Sequence, residues 1–176
     1  RYLKTLATPK HFAVYNQETN RFANNAIVPI RFLREYYLPA FESCIVEGEA
    51  AAIMTSYNAV NGIPAGANHF LINDVLRKEW GFQGYVVSDC GGPNHLLDAH
   101  HFVASKQAAA VASIKAGLDL ECGDDIYKEP LLQAVNTGKL TIAEIDTAVY
   151  RVLRARMQLG LFDDPANNSY NTISPD

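Results

Sequence analysis

Apolar residues recur along this chain in two alternating textures. Short unbroken runs occur at residues 6–12 (LATPKHF), 51–57 (AAIMTSY), 84–89 (GYVVSD) and 117–122 (GLDLEC). Each is followed by a longer stretch in which apolar positions return every three or four residues. The first texture predicts buried strands and the second amphipathic helices. Strand, helix, strand, helix is the rhythm of a parallel α/β sheet.

Punctuation at the helix ends supports the alternation. Over 141–159, Thr141 and Glu144 have capping-box spacing, Ile145, Val149, Val152 and Leu153 form a stripe, and Gly160 stands where a left-handed cap belongs. Arg151, Arg154 and Arg156 lie in the second half of that helix, where cations complement its dipole or simply face solvent. Asn68 is the expected N-cap of a helix stopped by Gly81, and Ser105 to Gly117 bound another. The segment RFLREYYLPAFESCIVEG carries Leu33, Tyr37, Phe41 and Ile45 at steps of four, with Pro39 inside it, so two short helices or one bent helix are expected.

Four strand-helix units cannot close on themselves, because a filled barrel takes about eight strands. The pattern therefore fits either an open doubly wound sheet or part of a larger barrel. No Pro/Gly/Ser linker or low-complexity tract interrupts the chain before about residue 163.

Composition narrows the function classes. The chain has 176 residues, 48% of them apolar, and a formal charge of −4, the profile of an ordinary globular domain. No window holds the roughly 18 apolar residues of a membrane helix, and no basic stripe suggests nucleic acid. The chain opens on Arg1 without an initiator Met or a signal pattern, so its true start is expected upstream. Cys44, Cys90 and Cys122 are too few for a disulfide scaffold and lack zinc spacing, which leaves room for one bridge and one thiol.

Reactive groups of parallel α/β proteins gather at the carboxyl ends of strands. Here the four runs end in Lys10-His11, Tyr57-Asn58, Ser88-Asp89-Cys90 and Glu121-Cys122-Gly123. A Lys, a His, a Tyr and an Asp around one mouth can grip hydroxyls and hold a carboxylate beside an electrophilic carbon, which suits sugar chemistry. CGGP lacks the spacing of a phosphate-binding loop. Each residue also has a structural reading: Asp89 as a cap, Lys10 as a surface cation, His11 as a core histidine, Tyr57 as packing. His100 and His101 are adjacent and cannot share a helix face, which disfavours a metal pair; Glu121, Asp124 and Asp125 read as a solvated acidic turn before a calcium site. Neither a metal nor a cofactor is expected.

The ordered set PKHFAVYNQE, LREYYLPAFE, AAIMTSYNAVNGIPAGAN, LRKEWGFQGYVVSDC and AGLDLECG resembles glycoside hydrolase family 3, the β-glucosidase and β-xylosidase family, over about residues 6–165. The resemblance implies an α/β fold: residues 1–162 as the C-terminal half of a (β/α)8 TIM-type catalytic barrel, and residues 163–176 as a linker toward an α/β sandwich domain. It also implies that Asp89 is the nucleophile of a retaining, exo-acting β-glycosidase and that Lys10, His11, Met54 and Tyr57 line the subsite of the departing sugar. The partners implied are β-linked xylo- or gluco-oligosaccharides or aryl glycosides, and the compartment is secreted or periplasmic. In most of the family the acid/base Glu comes from the sandwich domain, so it is absent from this chain. KHFAVYNQ departs from the KHFPGHG-like loop of members that act on N-acetylglucosamine. Many glucosidase relatives carry Trp after the acid, whereas Cys90 with Cys122 resembles the xylosidase branch, implying a disulfide at the cleft mouth and a preference for β-xylosides over β-glucosides. Readings from other classes are a noncatalytic carbohydrate-binding fragment and a barrel lyase or aldolase using Lys10 as a Schiff base.

Overall fold

The computed structural model describes residues 2–123 and 125–173. Among the described residues there are six strands: β1 (Asn25–Ala26), β2 (Ala52–Thr55), β3 (Ala59–Val60), β4 (Ile63–Pro64), β5 (Tyr85–Cys90) and β6 (Leu120–Cys122). The main sheet has the order β2-β5-β6 with both pairs parallel, so β5 is central and bonded on both sides. Helices connect its strands in the expected alternation, Phe70–Glu79 before β5 and Gly92–Asp98 with Lys106–Ala116 before β6.

The run at 6–12 is not a regular strand. It lies parallel along β2, with Ala52 N–H donating to Ala7 O at 3.3 Å and Met54 N–H to Pro9 O at 3.1 Å, but its one ladder bridge is Phe12 to Thr55. Pro9 has no N–H to give to a ladder. The smaller sheet, β1-β3-β4, was not foreseen. Its β3-β4 hairpin turns on Asn61-Gly62, both at positive φ, a two-residue signal readable in VNGI. Helices Gly92–Asp98 and Glu129–Asn136 were also not foreseen.

Most predicted caps form. Ser105 Oγ accepts from Ala108 N–H at 3.1 Å, the Thr141–Glu144 capping box is complete in both directions, and Asn68 Oδ1 accepts from Leu71 N–H at 3.1 Å. The Pro39 segment is bent as expected. A π-helical stretch Leu33–Tyr37 hands over to helix Pro39–Val46, with Leu38 N–H bonded five residues back to Leu33.

Glycines bracket β5 for a steric reason at Gly84, where a Cβ would stand 2.1 Å from the Ala51 carbonyl oxygen. Helix Phe70–Glu79 buries Leu71, Ile72, Val75 and Leu76 in the main core, beside Ile53 and Val86 of the sheet.

One stripe packs differently from its pattern. In helix Ile142–Gln158, Ala148 and Ala155 are buried, while Val149 and Leu153 are exposed. Arg151 turns inward instead, its Nη1 donating to Asp119 Oδ1 at 2.8 Å. Arg77 holds the other oxygen at 2.6 Å, and Val86 N–H donates to that same Oδ2 at 2.8 Å. Arg77 also donates to the carbonyls of Gly84 and Gly117. Burial raises the Asp119 carboxyl above its ordinary range, and the two guanidiniums with the Val86 N–H pull it back. Asp119 thereby ties two helices to the rear of β5.

Removing one partner of such a buried pair strands the other charge. Asp119→Ala is expected to lower unfolding stability by about 3–5 kcal/mol. Asp119→Asn should cost less, because its amide oxygen still accepts the Val86 N–H. Urea unfolding followed by circular dichroism measures both, and equal, small losses would contradict the role assigned to the carboxylate.

Candidate active site

The carboxyl ends of β2, β5 and β6 and the end of the 6–12 run meet at one edge of the sheet. Asp89 is the penultimate residue of the central strand, and its carboxylate is held from two sides. Oδ1 accepts from Cys90 N–H at 2.8 Å, and Oδ2 lies 3.1 Å from His11 Nε2. Fractional exposures of 16% for the Asp89 side chain and 22% for His11 make this a recessed but reachable group. Burial lowers the His11 pKa; the Asp89 charge opposes that effect and Lys10 adds to it. A neutral His11 with its proton on Nε2 can orient the carboxylate by a hydrogen bond without neutralising it.

Tyr57 completes the wall. Its hydroxyl donates to the Cys90 carbonyl at 2.7 Å. Burial, reinforced by the adjacent Asp89 carboxylate, pushes the phenol up to about 12, so it stays protonated and remains a donor. Its ring is the hub of an aromatic cluster, edge-on to Phe22 at 4.8 Å, His95 at 5.5 Å and Tyr15 at 6.2 Å. His100 Nε2 meets the Tyr57 carbonyl at 2.8 Å, which gives that histidine a positioning contact.

The other expected site residues take graded places. Lys10 is exposed beside His11, and both line a cavity of about 340 Å³ with Val14, Tyr15, Tyr37 and Phe41. The Lys10–His11 and Phe12–Ala13 peptide bonds are cis. Met54 is in register with Val87, two residues before Asp89 on the neighbouring strand. Cys90 and Cys122 are register partners on neighbouring strands, and no disulfide joins them in the structure. The Cys122 N–H donates to Ser88 Oγ at 2.9 Å, and its carbonyl accepts from Gly91 N–H at 2.8 Å, so the β5 and β6 ends are laced together.

Glu121 accepts from Ile126 N–H and Asp125 pairs with Lys128, while Asp124 lies outside the described residues. Among the described residues, no group of three or more His, Cys, Asp or Glu is arranged to hold a metal ion, and no helix is long and apolar enough to cross a membrane. A separate cavity of about 370 Å³ opens at the opposite end of the sheet, against Ala51, Phe82 and Gly84, and contains none of the expected site residues.

Sequence reasoning missed Arg21, Phe22 and His95, and weighed His100 only as half of a metal pair. Arg21 and Phe22 sit in the loop YNQETNRFANN, where an aromatic whose one apolar neighbour over residues 16–25 is Ala23 was the available signal.

Known proteins share this architecture. A probable exo-1,4-beta-xylosidase from Aspergillus flavus is 37% identical over 177 residues, and a beta-xylosidase/alpha-L-arabinofuranosidase 2 from Medicago sativa subsp. varia is 38% identical over 180. These alignments cover 97% and 98% of this chain, and 23% of each relative. Among solved structures, the GH3 exo-beta-xylosidase XlnD in complex with a xylobiose aziridine activity-based probe superposes with a TM-score of 0.92 at 32% identity, across 98% of this chain and 23% of that one. The beta-glucosidase from Listeria innocua in complex with glucose gives 0.86 at 37% identity, across 96% and 23%. This chain therefore spans less than a quarter of the length of these relatives. The model of the glycosyl hydrolase family 3 N-terminal domain matches residues 3–155, and with relatives of this identity along nearly its whole length, the chain belongs to glycosyl hydrolase family 3.

Proposed function

We propose that these residues belong to a retaining, exo-acting β-glycosidase, a β-xylosidase by preference, in which Asp89 is the nucleophile. The observation that carries this reading is the Asp89 carboxylate at the end of a strand bonded on both sides, oriented by His11 at 3.1 Å and by the Cys90 N–H at 2.8 Å. A nucleophile must be held still, and an imidazole with a backbone N–H gives each carboxylate oxygen a partner that fixes its direction. Asp89 attacks the anomeric carbon while the bond to the leaving oxygen breaks. A glycosyl ester forms, and water displaces it with net retention. The proton for the leaving oxygen comes from a second carboxyl about 5–5.5 Å away, supplied from outside this chain. Lys10, His11, Met54 and Tyr57 line the terminal-sugar subsite.

In the same reading residues 1–162 are the C-terminal half of a (β/α)8 barrel, and residues 163–176 lead to a following sandwich domain. The parallel order of the 6–12 run, β2, β5 and β6 supports the first part, as do relatives more than four times longer than this chain. Preference for xylosides draws on the relatives' names and on the cysteine pair. Adjacent strands lie about 4.8 Å apart, within the Cα range of about 4.4–6.8 Å that a disulfide spans. We place a Cys90–Cys122 bridge in the mature enzyme, where it narrows the space a hexose hydroxymethyl needs. A second reading, β-glucosidase, is favoured by the similarity to the Listeria innocua enzyme crystallised with glucose.

Three outcomes test these assignments. In the full-length enzyme Asp89→Ala should fold and lose about ten-thousandfold or more in turnover, against perhaps tenfold for loss of a cap. Azide should restore turnover of an activated aryl glycoside with inverted stereochemistry, and a fluorinated slow substrate should label GYVVSDCGGP in the wild type only. Normal hydrolysis by the mutant, with the label on another carboxylate, would make Asp89 structural. Residues 1–176 alone should leave aryl β-xyloside and aryl β-glucoside intact, since the proton donor lies elsewhere; turnover by the mass-verified piece would refute that. Non-reducing peptide mapping should find Cys90 joined to Cys122 and Cys44 as a thiol, and recovery of Cys90 as a thiol would remove the bridge from the account.

A further inference from the structure

Beyond Cys90 the chain passes through Gly91 into helix Gly92–Asp98 and turns over residues 99–103. The turn is held at several points. His100 N–H donates to His95 O at 2.9 Å, Phe102 N–H to Leu96 O at 2.8 Å and Val103 N–H to the same oxygen at 3.2 Å. His101 takes a positive φ of 51°, and its Nδ1 meets Leu97 O at 3.1 Å. The two adjacent histidines are thereby sent apart. His101 is exposed, while His100 is half-buried with its Nε2 2.8 Å from the Tyr57 carbonyl. A carbonyl oxygen only accepts, so His100 Nε2 carries the proton.

That carbonyl lies past the end of the main sheet. The ladder between β2 and β5 stops at Thr55 and Ser88, and beyond it side chains join in holding residues 56–58. Ser56 Oγ and Asn58 Nδ2 donate to Ala13 O at 3.2 and 3.3 Å, and His100 donates to Tyr57 O. Tyr57 is fixed at three points. Its carbonyl is held by His100, its ring stands edge-on to His95 at 5.5 Å, and its hydroxyl donates to Cys90 O at 2.7 Å, next to the Asp89 carboxylate. His95 and His100 belong to the helix and turn that directly follow Cys90. The contacts therefore close a ring that runs from Cys90 through the helix and the turn to Tyr57 and back to Cys90.

We propose that His100 is a positioning residue of the glycosidase reaction, holding the Tyr57 main chain so that the Tyr57 hydroxyl stays on the Cys90 carbonyl beside Asp89. This rests on the reading of Asp89 as nucleophile. His100 acts only through Tyr57. Tyr57 is 7% exposed, so a carbonyl that loses the His100 bond has little water to replace it, and the main chain must turn to find another donor. A tyrosine side chain is long, and a small rotation at its root moves the hydroxyl furthest. The hydroxyl then leaves Cys90 O, and the residue whose N–H holds Asp89 Oδ1 loses one of its fixed contacts. The carboxylate is left free to swing, which slows attack on the anomeric carbon.

The test asks whether the effect of His100 passes through the Tyr57 hydroxyl. In the full-length enzyme, His100→Ala should slow the labelling of Asp89 by 2-deoxy-2-fluoro-β-D-xylosyl fluoride, or its glucosyl counterpart, about tenfold, the effect of losing one hydrogen bond. His100→Gln, whose amide N–H reaches about as far from the main chain as Nε2, should stay within about threefold of wild type, while the shorter His100→Asn should behave like His100→Ala. In a Tyr57→Phe background, His100→Ala should slow labelling by less than about twofold further, although it lowers the unfolding midpoint in both backgrounds alike. A histidine that only stabilises the fold gives the same loss of labelling with and without the hydroxyl, and that result overturns the proposal. So does unchanged labelling by His100→Ala, or equal rates for the Gln and Asn variants. If His100→Ala fails to fold, the comparison of Gln with Asn carries the test. Label on a different carboxylate in the wild type overturns the nucleophile assignment and the role of His100 with it, whereas failure of the double-mutant cycle alone overturns only His100.

Discussion

Asp119 is the joint on which this structure depends. A carboxylate at 6% exposure is costly to bury, and here the cost is offset by two guanidiniums and a backbone N–H. Each partner comes from a different element: Arg77 from the helix before β5, Arg151 from the last long helix, and Val86 from β5 itself. Breaking any one leaves a charge or a donor unsatisfied, so the three elements hold their relative positions as a set.

The consequence reaches the site along one strand. Val86, bonded to Asp119, is three residues before Asp89, and the intervening Val87 and Ser88 are buried. A strand fixed at its rear and bonded on both sides delivers its last side chains with little freedom. At the front, the Cys90 N–H and His11 fix the Asp89 carboxylate, and Tyr57 fixes the Cys90 carbonyl. Stiffness at the front is therefore a product of burial at the back. The environment also sets protonation in the useful sense, with His11 neutral and Tyr57 a persistent donor around one carboxylate.

The exposed apolar side chains of helix Ile142–Gln158 follow from the same joint. A helix has one inward face, and the Arg151–Asp119 pair chose it over the alternative stripe through Val149 and Leu153. Alanines at 148 and 155 let the helix approach closely on that side. Electrostatic pairing thus outweighed the apolar periodicity in setting the rotation of the helix about its axis.

What the sequence by itself determined was local. The GYVVSD strand, the capped helices at 105–117 and 141–159, and the bend at Pro39 are written in contacts three to five residues apart or in backbone dihedrals, which neighbouring residues decide. The meeting of His11, Tyr57 and Asp89 was legible for a related reason, since parallel strands must release their carboxyl ends at one edge. Tertiary structure alone decided the rest. Arg77 and Arg151 find Asp119 across 42 and 32 residues of chain, and Phe22 and His95 reach Tyr57 only after the small sheet and helix Gly92–Asp98 have formed. No local pattern encodes such pairings, because an arginine on a helix reads as solvated and an isolated aromatic in a polar loop reads as incidental until the packing of other elements supplies the partner.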